Sequence, residues 1–236
     1  MIKRFILNTT VFLLFSNIAI CDEIDQLLQK ALDAKFSEVG NDSSARQRYL
    51  FEILQKEPDH LEALWQVTLI KLNSIPSSSL SKEAPYLAML GPEVNKILDT
   101  AISKGNRAFY HYINAVYASA HKAYDTALIE IEKSINLEPQ SARYVLNKGK
   151  ILIDKGRWTY NDDNIAQGLD MIEAALILSK QNKNPFHSPW HYNFQLALGN
   201  SYFENPKWQE VISNYQISID IMEKVNATQK SSYAYA

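Results

Sequence analysis

A spacing recurs three times along this chain: a small residue, then an aromatic one nine positions later. It joins Ala115 to Tyr124, Gly149 to Trp158 and Gly199 to Trp208. The first two pairs lie thirty-four residues apart. The segments that follow agree as well. Ala127, Ile131 and Ser134 are matched by Gly168, Ile172 and Ala175, and by Val211, Tyr215 and Ser218, with Val94, Leu98 and Ala101 as a weaker earlier copy. Each trio has the four-then-three spacing of one helix face. Small residues let two antiparallel helices approach closely. A single hairpin cannot bury its apolar face, so hairpins of this kind stack.

The stretch AYDTALIEIEKSINLEPQSA, residues 123–142, shows the unit most clearly. Tyr124, Ala127, Leu128, Ile131 and Ile135 form the apolar face, with Asp125, Glu132, Lys133 and Asn136 opposite. Pro139 cannot continue a helix and pushes Glu138 out of helical angles. Ser141 is placed to cap a new helix from Ala142.

A thirty-four-residue hairpin with small, aromatic and proline marks resembles the tetratricopeptide repeat. Leu198, Gly199, Tyr202 and Trp208 match that motif best, and Gly149 and Leu152 match it in the middle copy, where Lys148 replaces the usual Leu. In the first clear copy Ala115 matches, while Asn114 and Ala118 depart from the usual Leu and Tyr. The resemblance implies an all-α fold, an α-solenoid of stacked antiparallel hairpins whose first helices line a concave groove. It covers 108–225 as three repeats. Residues 22–107 read as degenerate hairpins, with Arg46 where a small residue is expected. Within them 61–72 is an amphipathic helix, 74–85 a Ser/Pro-rich connector, and PYLAML a short helix before Gly91-Pro92. Two longer spacings, around TYNDDNI and QNKNPFHSP, read as loops on the rim, with Ser188 and Pro189 starting the helix after the second. Residues 226–236 read as the start of a further helix or a cap.

Residues 1–21 differ from the rest. Lys3 and Arg4 precede an apolar run through Ile20 whose densest part, Val11 to Phe15, is too short for a full span. This is the pattern of an export signal, with an uncleaved anchor as the alternative. Cys21, the single cysteine, stands at its end and resembles the acylated first residue of a bacterial lipoprotein; Ile20 departs from the small residue expected before it. Cleavage after Ala19 or Cys21 fits equally. One cysteine excludes an intramolecular disulfide. The expected location is exported, periplasmic or membrane-associated, with a membrane tether through the N-terminus as one outcome.

Formal net charge is −2, with no long basic block, so nothing points to nucleic acid. No phosphate-binding Gly loop, nucleophile elbow or paired-Cys motif is present. His187 and His191 are four apart, but Pro189 interrupts and no third ligand stands near them in sequence. Asp162, Asp163 and Asn164 lack the calcium-loop pattern. The sequence therefore gives no catalytic residue, metal site or cofactor.

What remains is a binding surface. The resemblance places on the groove Phe109, Tyr112 and Val116, then Arg143, Leu146, Asn147 and Lys150, then Asn193, Leu196 and Asn200. Aromatic and aliphatic members suit an apolar side chain, Arg143 and Lys150 a carboxylate, and the asparagines a peptide backbone. The expected function is an exported protein-interaction scaffold that holds an extended or helical segment of a partner protein, in envelope assembly or secretion. Two alternatives stay open: the helical arm of a longer enzyme, and a self-associating structural subunit.

Overall fold

The computed structural model describes residues 23–31, 43–73, 80–181, 189–203 and 206–233. The expected export signal, Cys21, His187 and the expected cap Ser188 lie outside them. Among the described residues there are ten helices and no strand: α1 (23–31), α2 (Ser43–Lys56), α3 (Leu61–Asn73), α4 (Leu80–Ser103), α5 (Arg107–Ala120), α6 (Tyr124–Leu137), α7 (Ala142–Thr159), α8 (Asp162–Gln181), α9 (Pro189–Asn200) and α10 (Trp208–Tyr233). None is long and apolar enough to cross a membrane. The chain forms two compact units, Met1–Ile70 and Lys71–Ala236, and the division falls within α3.

In the first unit Leu50, Ile53, Ala63 and Trp65 are fully buried. Arg46 occupies a buried position because its guanidinium donates to Gln66 Oε1, and Gln66 donates in turn to Glu62 at 2.6 Å. A buried cation is tolerated where its donors are satisfied. Pro58 ends the α2 region, and His60 Nδ1 accepts the Ala63 amide at 3.1 Å to open α3.

The second unit is the solenoid. Hairpins α5/α6, α7/α8 and α9/α10 follow in order, each first helix packing on the preceding second helix. The repeated trios are the seams. Ala127, Ile131, Ser134, Ile172 and Ala175 are fully inaccessible, and Val211 and Ser218 nearly so. Gly149 and Gly168 bring α7 and α8 together backbone to backbone: a Cβ on Gly149 would lie 2.6 Å from Gly168 O. The Ser134 hydroxyl donates to the Ala108 carbonyl, tying α6 to α5.

Several boundaries differ from expectation. TYNDDNI is not a rim loop. α7 continues through Trp158 to Thr159, Tyr160 closes it in a left-handed conformation, and α8 starts at Asp162. The extra residues lengthen both helices, because Asn161 Oδ1 accepts the Asn164 amide at 3.0 Å and Asp162 and Asp163 suit a first helical turn. Trp158 thus ends a first helix instead of opening a second one. α4 runs unbroken through Gly91-Pro92, where the Tyr117 hydroxyl donates to Leu87 O at 3.0 Å. Residues 226–233 continue α10, since no Gly or Pro interrupts the sequence after Trp208. Ser141 stands at the N-cap of α7 without a side-chain cap bond, whereas Asn106 caps α5 through the Phe109 amide at 3.0 Å.

Candidate functional site

The first helices α5, α7 and α9 lie side by side, so the residues expected to line one surface do share a region. They fall into two groups. Phe109, Tyr112, Arg143, Leu146 and Leu196 are all buried. The Arg143 guanidinium sits 5.7 Å from the ring centroids of both Phe109 and Tyr112. Tyr112 also packs on Tyr144 with centroids 5.4 Å apart. Cation–π contact and tilted ring packing hold this end of the surface closed. Leu146 and Leu196 join the core between the second and third hairpins.

Val116, Asn147, Lys150 and Asn200 are half-buried and form the accessible part. Asn147 Nδ2 donates to Arg143 O at 2.8 Å. Of Asn193 only the backbone, on α9, belongs to the described structure.

The surface continues beyond the residues the sequence suggested. Asp154 and Arg157 extend the series Arg143, Asn147, Lys150 by the same steps of four and three, which keep one helix face. Continuing that arithmetic along α7 was the signal that could have found them. Burial pushes the Lys150 ammonium below its ordinary value, and Asp154 partly offsets this. Burial likewise raises Asp154, against the pull of Lys150 and Arg157. The Arg157 guanidinium lies 3.7 Å over the Tyr202 ring, carrying the strip from α7 to the turn just after α9. Burial raises the Tyr202 phenol. This strip supplies cationic and amide donors beside one carboxylate, a set suited to hydrogen-bonding a peptide.

A second feature occupies another face of α7. A shallow groove of about 500 Å³ runs between α6, α7 and α8, floored by Leu128, Ile129 and Leu152. The Lys148–Glu132 ion pair, 2.6 Å long, stands in its wall. Among the described residues no His, Cys, Asp or Glu cluster could hold a metal ion.

No known protein-family profile matches the chain. Among solved structures, a crystal structure of MamA is similar at 11% identity and a TM-score of 0.42, over 77% of this chain and 89% of that one. A MamA double mutant described as RS-1 ArsTM is 16% identical with a TM-score of 0.38, over 86% of this chain and 97% of that one. MamA from residue 41 onward, from Desulfovibrio magneticus RS-1, is 17% identical with a TM-score of 0.34, over 86% of this chain and 96% of that one.

Proposed function

We propose that this chain is a protein-interaction scaffold, and that a partner segment binds along the accessible part of α7, at Asn147, Lys150, Asp154 and Arg157. One observation carries the reading. Most of α7 is packed, with Tyr144, Val145, Leu146, Ile151, Leu152 and Ile153 all buried. Yet a continuous polar face persists there, including an ammonium group held at a desolvation cost. An apolar residue of similar volume at position 150 would pack without that cost, so the charge is better explained by a ligand than by stability. A peptide backbone and an acidic side chain are the groups this face complements.

The setting we infer is the cell envelope, reached by the N-terminal export signal, with Cys21 as the tether where it is acylated. The mass of the mature N-terminus from natively expressed protein decides between a lipidated Cys21, cleavage at this point without lipid, and an uncleaved anchor.

Affinity capture with crosslinking identifies the partner and the residues it touches. Lys150→Glu and Asn147→Ala then test the site, with a loss of affinity of about tenfold or more expected for the charge reversal. Arg143 is a poor choice for this test, because its removal uncovers Phe109 and Tyr112 and mixes folding with binding. A folded Lys150→Glu protein that binds its captured partner as well as the native chain rejects the site.

A further inference from the structure

The seams that follow α6 and α8 use the same two positions on the second helix. On α6 these are Leu128 and Ile135; Leu128 shares its groove with Leu152 of α7, and Ile135 packs on the core that includes Val145 and Leu146. On α8 the equivalent positions are Leu169 and Leu176, which meet the core containing Leu196 of α9. The buried trios fix the register, and the same positions on α10 are Ile212 and Ile219. There they are exposed, at 59% and 42%. The neighbouring Trp208, four residues before Ile212, is 61% exposed. α10 thus presents a face of the kind that on α6 and α8 carries the next helix.

The charges on that seam say what kind of helix it takes. α6 places Asp125 and Glu132 beside its seam, where they pair with Lys155 and Lys148 of α7 at 2.7 and 2.6 Å. The corresponding residues of α10 are Gln209 and Gln216. A lysine-bearing helix in the register of α7 would meet these two amides where α6 offers carboxylates, the acids of this face, Asp220 and Glu223, standing at other positions. Gln216 donates one N–H to Asp220 at 2.8 Å and keeps a second N–H and carbonyl capacity for another amide.

We propose that this face pairs with the same face of a second copy of the chain, α10 against α10 and antiparallel about a two-fold axis near Gln216. The strip is its own complement in that direction. Ile212 meets the other copy's Ile219, the two Gln216 amides meet each other, and Trp208 meets Glu223. No like charges oppose each other along it, whereas a parallel pairing sets Glu223 against Glu223. Closed pairs of this isologous kind are the commonest oligomer of soluble chains. The proposal is independent of the partner site on α7.

Sedimentation of the chain across a concentration series tests it. The expected result is a monomer–dimer equilibrium whose dissociation constant rises about 100-fold or more in Ile212→Glu/Ile219→Glu, because central apolar anchors dominate such interfaces. In a Cys21→Ser background, Gln216→Cys should form an interchain disulfide under mild oxidation and Ile217→Cys, on another face of α10, should not. A monomer at every concentration overturns the proposal. So does a dimer indifferent to the two glutamates, which would place the contact elsewhere. A dimer without the Gln216→Cys crosslink rejects the antiparallel geometry.

Discussion

A Cβ on Gly149 meets Gly168 O at 2.6 Å, and one on Gly168 meets Gly149 O at 2.7 Å. Backbone atoms of two packed helices cannot step aside as a side-chain tip can. Gly149→Ala should therefore destabilise the protein by about 1–3 kcal/mol despite the better helix propensity of alanine. Gly199 offers the control. Its added Cβ would meet only the side-chain ends of Leu169 and Ile153, at 2.7 and 2.9 Å, so Gly199→Ala should cost less in the same urea titration. An equal or larger loss at Gly199 would mean that backbone contact is not what makes Gly149 special. Tyr160 presents the opposite case. It holds φ 53° and ψ 46° at the end of α7 while 97% exposed. A bulky side chain gains little there and pays for the left-handed backbone. Tyr160→Gly should raise stability by about 0.5–1 kcal/mol, and a thermal melt that falls instead would show that the ring has an important contact.

At the level of elements, α5 and α6 are joined by a polar cluster as well as by their apolar seam. Glu130 Oε2 lies 2.8 Å from His111 Nδ1, and its other oxygen accepts from Lys133 at 2.6 Å. Burial pulls the Glu130 carboxyl upward, but the two hydrogen bonds and two nearby charges outweigh it and hold the group below its ordinary value. A carboxylate depressed in the folded state stabilises it above the unfolded value. That contribution is lost as pH falls through the folded one. Glu130→Gln should thus be less stable than the native chain near neutral pH, with the gap narrowing on acidification below about pH 4.5. A gap constant from pH 7 to pH 3, by urea titration, would remove Glu130 from the acid response. This cluster was not visible in the sequence, because His111 and Glu130 are nineteen residues apart and only the hairpin brings them together. The elements themselves were more readable. Proline after α6 and the trio spacings marked real ends and real seams. The α7/α8 turn was misread because turn-forming residues such as Asn161 and Asp162 also start helices, and local composition does not say which role wins.

Across the whole solenoid unit, the inward trios are repeated chemistry, and repetition is what made the fold readable before any coordinate. The proposed binding surface repeats less. Arg143 was readable as a charge on the same face of α7 as Asn147 and Lys150, but its packing on Phe109 and Tyr112 depends on how far α5 stands from α7, which spacing along one helix does not encode. Stacked hairpins also make a claim about how stability is distributed. Each hairpin in such an array touches only its neighbours, so damage should spread locally and fade with distance along the stack. Ile172, fully buried in α8, is the place to inflict it. Ile172→Ala should cost about 2–4 kcal/mol. In native-state hydrogen exchange the loss of protection should be largest in α7, α8 and α9. It should be smaller in α5 and α6, and least in α4, which packs on α5 and so lies farthest along the order of contacts. Equal loss in every helix from α4 to α10 would instead show one cooperative body, in which the hairpin is a unit of sequence but not of stability.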